Sequence, residues 1–258
     1  MSLHKRSCAF CGSKNNLSRE HIFPGGIIRK FEVDMLSYND KSDTAFKSDL
    51  VVKDVCAICN NETLSEIDSN FVKLFEENML YPLQPGNSVE FSFDYNDLLK
   101  ALLKISFNSA RASSDGFKAV TALRRYVPYI MGRINEPPNV LLRLLIVTSS
   151  KRFNSETSTF EGMMKAELLR SCKVNYNGSH NSNFIIRLVA LNSFWFYLLI
   201  PLKSVSRSKF NSFLESYIKY NHLSGVAIDN STNFVSIPKE MTTYMHPQLF
   251  EGMKRQRA

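Results

Sequence analysis

Two short cysteine motifs near the start of the chain determine how its N-terminal part folds: Cys8-Ala-Phe-Cys11 and Cys56-Ala-Ile-Cys59-Asn60-Asn61. The stretch Glu20-His21-Ile-Phe-Pro24 lies between them. Each Cys-x-x-Cys turn can present two thiolates to one ion, and two turns supply the four tetrahedral ligands of a structural zinc site. Gly12 directly follows the first motif and suits the backbone reversal that such a turn needs. The sequence therefore predicts a small module built around zinc.

The alternatives for these four cysteines are two disulfides or four unrelated thiols. The chain begins Met-Ser-Leu-His-Lys-Arg, which lacks the apolar core of a signal peptide. In such a chain, paired Cys-x-x-Cys spacing favours a metal site, and we expect a reducing, cytoplasmic compartment. Because four thiolates leave no ligand position for water, the zinc would be structural. The fifth cysteine, Cys172, is expected to be an ordinary thiol.

The composition is that of a packed globular protein. Of the 258 residues, 44% are hydrophobic, while only 10 are Gly and 9 are Pro, which excludes a disordered chain. Apolar residues recur with a helical period from Leu64 to Met79, and Tyr81-Pro82 then ends the pattern. We expect a zinc module over residues 1–82 and a mixed domain over residues 83–258. The fold class is α+β, because the later helices and strands do not alternate as βαβ units.

Beyond the first module, the sequence pattern predicts further elements of both kinds. These are helices at 96–111, 117–131 and 206–220, and strands at 89–93, 140–147, 226–228 and 234–237. The second helix could bend at Pro128. The apolar run 184–202 carries Arg187 and is interrupted by Asn192-Ser193. A buried β-hairpin explains both features, whereas a membrane-spanning helix does not, so we expect no membrane association. The Ser- and Asn-rich stretch 149–158 is expected to be a surface loop.

Glu20, His21 and Asn60 have the chemistry that phosphodiester hydrolysis needs. A neutral histidine can take a proton from water near pH 7. A carboxylate can hold Mg²⁺ or a similar hard ion against a phosphate, and an asparagine carbonyl can orient the imidazole or bind the same ion. Adjacent strand residues face opposite sides, yet both can reach one site where a strand ends and twists. We therefore expect a candidate active site at this strand end.

Asp68 is a further candidate ligand for the divalent ion. It falls on the apolar face of the helix that follows Asn60, and an inward carboxylate needs a partner. That partner could be a metal ion. The alternatives are a salt bridge to a neighbouring Lys or Arg, or a partly exposed helix edge.

This combination of motifs resembles the HNH, or ββα-metal, endonuclease family, in particular its zinc-stapled branch that includes phage endonuclease VII and McrA-type restriction enzymes. The resemblance covers about residues 5–80. It implies that Glu20 is the acidic metal ligand, that His21 is the general base and that Asn60 belongs to the metal site. It also implies a catalytic Mg²⁺ or Mn²⁺ beside the structural zinc.

The chain departs from the family pattern at two positions. Many members carry a second metal-binding histidine on the helix, whereas this chain has Asp68, eight residues after Asn60. Glu20 stands where aspartate is commoner, which is a modest change in reach.

The positive charge of the chain is concentrated in its C-terminal part. The net charge is +8. Residues 1–80 hold 10 Lys and Arg against 12 Asp and Glu, and residues 81–258 hold 22 against 12. Lys100, Lys104 and Arg111 lie near one side of the predicted helix 96–111 and could contact a phosphate backbone. The alternative is an ordinary solvated helix face.

The sequence as a whole predicts a metal-dependent endonuclease that hydrolyses DNA, with residues 83–258 serving target recognition, regulation or partner binding. The resemblance implies a role in bacterial or phage defence or restriction, often with a partner protein such as an ATPase or sensor subunit. A homodimer is also compatible with the sequence. The alternative is a non-catalytic, zinc-finger-like module that binds nucleic acid or protein, and the missing second histidine favours it.

Overall fold

The computed structural model describes residues 7–31, 36–39, 44–47, 50–113, 117–154, 156–174, 182–220 and 225–239. The strands are β1 (Leu17–His21), β2 (Leu36–Asn39), β3 (Thr44–Lys47), β4 (Val51–Cys56), β5 (Gly86–Ser92), β6 (Leu141–Ile146), β7 (Ser150–Asn154), β8 (Thr159–Met164), β9 (Leu169–Val174), β10 (Phe184–Leu191), β11 (Phe194–Pro201), β12 (Val226–Ile228) and β13 (Phe234–Lys239). The helices are α1 (Gly25–Ile28), α2 (Ala57–Cys59), α3 (Ser65–Asn78), α4 (Tyr95–Ala112), α5 (Phe117–Arg124), α6 (Val127–Ile130) and α7 (Arg207–Tyr220). A π-helical turn, Asn60–Leu64, joins α2 to α3. This mixture confirms the α+β class.

The chain divides into two compact units that are not contiguous in sequence. Unit 1 comprises Met1–Glu76 and Asn96–Asn139, and unit 2 comprises Glu77–Tyr95 and Val140–Ala258. This division differs from the predicted boundary at residue 82, because α4, α5 and α6 group with the cysteine-bearing segment. The physical reason lies in unit 1 itself, where α4 supplies the counter-charges for carboxylates on β1, β4 and α3.

Unit 1 contains two antiparallel strands followed by a helix. β1 pairs with β4, and the chain enters α2 directly after β4. The register shifts by one residue between Ser18 and Glu20, so that Lys53 and Asp54 lie opposite the single residue Arg19. Such a bulge bends a strand and redirects its side chains, and bulges are common beside functional sites.

The long helix α4 forms the centre of unit 1. Its residues from Leu98 to Ala110 are buried, with Lys100 partly exposed. Phe107 on α4 packs edge-on against Phe10 of the first cysteine turn, with ring centroids 5.6 Å apart and planes at 88°. This geometry is favourable for aromatic pairs, and it connects the cysteine motif to the apolar core.

Unit 2 is built on a five-stranded antiparallel sheet in the order β12-β6-β11-β10-β9. One face of the sheet packs on α7, where Phe184 stacks on Phe213 with centroids 3.8 Å apart. On the other face, Phe91 of the β5–β13 ribbon contacts Phe194 and Phe196. Because both faces are covered, β10 and β11 are buried along their whole length, and the predicted hairpin is confirmed.

One prediction about an element is wrong, and another is correct only in part. The stretch expected to be a loop at 149–158 contains β7, which pairs with β8 in a hairpin. The segment 117–131 is helical as expected, but it is divided into α5 and α6, and Pro128, where a bend was expected, lies in the first turn of α6. Proline is favoured there because its fixed φ suits a helix start and its missing N–H is not needed. Within the described residues, no helix is both long and apolar enough to cross a membrane.

Candidate metal centre and active site

The four cysteines of the two motifs converge in unit 1. The sulfur atoms of Cys8, Cys11, Cys56 and Cys59 all lie within 4.8 Å of one another. The Cys11 and Cys56 sulfurs are 3.5 Å apart. In a tetrahedral site with Zn–S bonds of about 2.3 Å, neighbouring sulfurs are about 3.8 Å apart. The arrangement therefore fits one zinc ion, and all five cysteines of the chain are unpaired by disulfides.

Backbone hydrogen bonds fix the first cysteine turn in place. The Gly12 N–H donates to the Cys8 carbonyl at 2.8 Å, and the Cys8 N–H donates to the Ser13 carbonyl at 2.7 Å. Gly12 has φ of +80°, a left-handed conformation that glycine adopts without strain. The Ala9 N–H donates to the Asp54 carbonyl at 2.8 Å, which ties this turn to β4.

The thiols have unequal acidity before any metal is considered. Burial opposes ionisation of Cys8, but backbone hydrogen bonds from Cys56, Cys11 and Phe10 lower its pKa to about 7. Burial, together with neighbouring thiols, raises the pKa of Cys59 above its usual value. A bound cation would favour the thiolate form at all four sulfurs. The cluster is therefore a place where metal binding and proton release are coupled.

Asn60 holds the bulged part of β1 in position. Its side-chain amide donates to the Ser18 hydroxyl at 3.0 Å and to the Arg19 carbonyl at 2.9 Å. The Ser18 hydroxyl in turn donates to the Val55 carbonyl at 3.0 Å. Because Asn60 directly follows Cys59, one residue links the cysteine cluster to the strand that carries Glu20 and His21.

Glu20 and His21 face opposite sides of the end of β1. Glu20 is buried, with 4% of the residue exposed, whereas the His21 side chain is exposed. The His21 carbonyl accepts a hydrogen bond from the Asn108 amide at 3.3 Å. The imidazole still lies close enough to the carboxylates of Glu20 and Asp68 that its protonated form would lower their pKa values.

Lys104 of α4 binds both carboxylates of the candidate site. Its ammonium lies 2.7 Å from Asp68 Oδ1 and 2.9 Å from Oδ2. It also contacts Glu20 Oε1, a buried oxygen that lies outside ordinary hydrogen-bond geometry. Lys104 is completely buried. Burial raises the pKa of Glu20 and of Asp68, and the Lys104 ammonium offsets part of that rise.

Asp68 therefore has the partner that its inward position requires. Of the alternatives that the sequence left open, the salt bridge to a lysine is the one that is formed. In the described part of the chain, the cysteine cluster is the one group of three or more His, Cys, Asp or Glu side chains whose ligand atoms converge on a common point. Glu20, His21 and Asp68 do not form a second such group.

Two of the three residues expected to contact nucleic acid are turned inward. Lys104 is buried in the ion pairs just described, and the Arg111 side chain is 7% exposed. Arg111 donates to Asp54 Oδ1 at 2.5 Å and to Asn108 Oδ1 at 2.7 Å. Its guanidinium also lies over the ring of Phe107, 4.6 Å from the centroid. The prediction of a phosphate-binding face at these two positions is wrong, because that face of α4 is core.

Lys100 remains as the third predicted nucleic-acid contact. It is partly exposed, with its ammonium 5.7 Å from the centroid of the Tyr129 ring. The distance suits a cation–π contact, which leaves the charge accessible from one side.

The role of Lys104 was missed by sequence reasoning, although a signal was present. Lys104 stands inside the run Leu102-Leu103-Lys104-Ile105, in a helix whose neighbouring turns are apolar. A single lysine surrounded by apolar residues on a helix implies a buried counter-charge. Asp68 is likewise a charged residue on the apolar face of its own helix, and it forms the salt bridge with Lys104.

Comparison with known proteins yields no match, whether the chain is set against family models, curated proteins or solved structures. The structural support for the expected resemblance is therefore limited to the convergence of the four cysteines.

Proposed function

We propose that the protein hydrolyses phosphodiester bonds in DNA, with His21 as the general base. The observation that supports this most is the placement of an exposed imidazole at the end of β1. It directly follows the buried Glu20 and lies on a strand that Asn60 ties to the cysteine cluster. An accessible histidine held by a rigid frame is the arrangement that general-base chemistry requires.

The chemistry assigned to His21 is the removal of one proton. The imidazole takes a proton from a water molecule as the water oxygen bonds to phosphorus. The bond between phosphorus and the leaving oxygen breaks, and that oxygen acquires a proton from solvent. Asn60 and Asn108 act as positioning residues, because they hold the backbone on either side of Glu20 through hydrogen bonds to Arg19 and His21.

The cysteine cluster is proposed to hold a structural Zn²⁺. Four sulfur ligands fill a tetrahedral shell and leave no place for substrate or water. Zinc would then stabilise the junction between the first cysteine turn and the start of α2.

The resemblance also implies a catalytic Mg²⁺ or Mn²⁺ at Glu20, Asn60 and Asp68. The residues as arranged do not fit such an ion, because the Lys104 ammonium contacts both carboxylates. A divalent ion could bind there only after Lys104 had moved away from them. No step of the reaction is therefore assigned to it.

The remaining parts of the proposal concern the setting of the reaction. A restriction or phage-defence role in the cytoplasm, with unit 2 recognising a target, a signal or a partner such as an ATPase or sensor subunit, agrees with the resemblance. A homodimer is compatible with it. Lys100 is the one residue of α4 kept as a candidate DNA contact.

The second candidate function is a binding module without turnover. The Lys104 ion pairs favour it, because they occupy carboxylates at the positions that an HNH nuclease uses for its metal. Such a module would bind nucleic acid or a partner through the zinc-stapled surface.

The test is cleavage of plasmid and linear DNA by the zinc-loaded protein, with Mg²⁺, with Mn²⁺ and with no added divalent ion. We expect wild type to cleave DNA and the cleavage rate of His21→Ala to be lower by about 100-fold or more, in line with the usual contribution of a general base. Glu66→Gln, an exposed carboxylate on α3, serves as the matched control and should cut like wild type. Equal cleavage by wild type and His21→Ala would contradict the assignment, and absence of cleavage in every condition would favour the binding module.

A further inference from the structure

The carboxylates of Glu20 and Asp68 already have a cation between them. The Lys104 ammonium lies within 2.9 Å of both Asp68 oxygens and contacts Glu20 Oε1. The side chain of Lys104 is fully buried, that of Glu20 is 4% exposed and that of Asp68 is 22% exposed. We propose that Lys104 is the resident counter-ion of this carboxylate pair and excludes divalent metal ions from it.

The charges explain why the ammonium and a divalent ion are mutually exclusive. One ammonium leaves the pair of carboxylates with a single net negative charge. A divalent ion bound to the same oxygens would lie about 4 Å or less from the ammonium, where like charges repel strongly even at an effective protein dielectric of about 20. The ion would also lose water that these partly occupied carboxylates could not replace.

The position of Lys104 is fixed by contacts on the same helix. One turn further along α4, the Asn108 amide donates to the His21 carbonyl on β1. Arg111 pairs with Asp54 on β4. These two attachments hold α4 against the strands that carry the site and so keep the backbone of Lys104 beside the carboxylates.

This inference goes beyond the proposed function, which assigns no step to a divalent ion; it takes from the family resemblance only the expectation that Glu20 and Asp68 would bind one. It concerns ion binding, which is measured without DNA. Failure of the inference and failure of the nuclease proposal are therefore separate results.

The experiment measures binding of Mn²⁺ to the full chain with zinc loaded, by the loss of the free-ion electron paramagnetic resonance signal. Mn²⁺ is a hard ion and does not compete for a four-thiolate site. The informative variant is Lys104→Met, which approximates the aliphatic part of the lysine side chain and removes the ammonium group. Lys100→Met, one turn earlier on the same helix, is the matched control.

We expect Lys104→Met to bind one additional Mn²⁺ per chain with a Kd at least about tenfold lower than wild type and Lys100→Met, because a repelling charge has been removed. Adding Asp68→Asn to Lys104→Met should abolish the extra site. Equal Mn²⁺ affinity in wild type and Lys104→Met would overturn the proposal, as would an extra site that survives Asp68→Asn.

A second measurement uses wild type alone, since removing a buried counter-ion can prevent folding. Mn²⁺ broadens the NMR signals of nearby nuclei, and His21 is the reporter beside the carboxylates. We expect its imidazole signals to remain unbroadened at Mn²⁺ concentrations that equal the protein concentration. Selective broadening of His21 by one equivalent of Mn²⁺ would show that the ion enters the site past Lys104, and the proposal would be wrong.

Discussion

Glu20 and His21 illustrate how adjacent residues of one strand occupy two different environments. The carboxylate faces the interior, where burial raises its pKa and where it needs the Lys104 ammonium. The imidazole side chain is exposed to solvent. The alternation of side chains along a strand produces this separation, and the bulge opposite Arg19 sets the direction in which the strand end points.

Asn60 contributes mainly through its side-chain amide. Asn60→Ala removes two hydrogen bonds, to the Ser18 hydroxyl and the Arg19 carbonyl. We expect a loss of about 1–3 kcal/mol in the free energy of unfolding. Urea denaturation measures this change.

The neighbouring residue provides the control for that measurement. Asn61 is exposed in the π-helical turn, and Asn61→Ala should change stability by less than about 0.5 kcal/mol. If both variants unfold at the same urea concentration, Asn60 does not hold β1 as described.

At the scale of elements, the two cysteine turns and α4 depend on each other. The first turn packs Phe10 against Phe107 of α4 and accepts a hydrogen bond from Arg133 at the Phe10 carbonyl. A zinc ion between the turns would add a covalent-like link to this packing, because the energy of metal binding becomes folding energy.

Cys59→Ser tests the zinc site. Wild type should carry one zinc per chain, measured by atomic emission after dialysis. The variant should lose tightly bound zinc and several kcal/mol of stability, because three thiolates bind the ion more weakly. A strong chelator should have the same effect on wild type.

Cys172→Ser is the matched control for the cysteine substitution. Cys172 lies on β9 in unit 2, whereas the four clustered cysteines belong to unit 1. The zinc content of the Cys172→Ser variant should equal that of wild type. If Cys59→Ser retained a full equivalent of zinc, the four-sulfur site would be disproved.

The elements differ in how well their sequence specifies them. The period of α3 and the paired apolar runs of β10 and β11 are strong local signals, and both were predicted correctly. β8 is exposed from Thr159 to Met163, including the apolar residues Phe160 and Met163, so the pairing of β7 with β8 has little local signal. The inward turn of Lys104 and Arg111 depends on Asp68 and Asp54, which are distant in sequence, and no helical pattern contains that information.

The candidate site was also predicted only in part, because some of its contacts join residues that are distant in sequence. The convergence of the cysteines follows from spacing that is diagnostic for metal binding, and the sequence was sufficient to predict it. From the sequence alone, the partner of Asp68 could be a metal ion or a basic side chain, because either can compensate the charge of an inward carboxylate. The choice between them depends on α4, which the sequence analysis had assigned to another domain.

At the scale of the whole molecule, unit 1 is interrupted in sequence by residues 77–95. A fragment of residues 1–82 would contain both cysteine turns but not α4. Glu20 and Asp68 would lose their counter-ion, and Phe10 would lose its aromatic partner. We expect this fragment to lack cooperative unfolding, even with zinc, as measured by circular dichroism during heating.

A spliced chain provides the comparison. Residues 1–76 can be joined to 96–139 by a flexible linker of about six residues, since the Asn70 amide on α3 donates to the Asp97 carboxylate on α4 at 3.0 Å. This chain should unfold cooperatively with zinc bound. A cooperative transition in the shorter fragment, or none in the spliced chain, would contradict the division into units.

The covalent attachment of Lys104 gives it a property that no dissolved inhibitor has. A soluble cation that competes with a metal can be diluted, dialysed away or chelated, and its effect falls as its concentration falls. An ammonium fixed to α4 has an effective concentration that the fold determines, and burial protects it from screening by salt. At a given pH, solution composition therefore acts on this competition only through the metal, and the other variable is the placement of the Lys104 side chain.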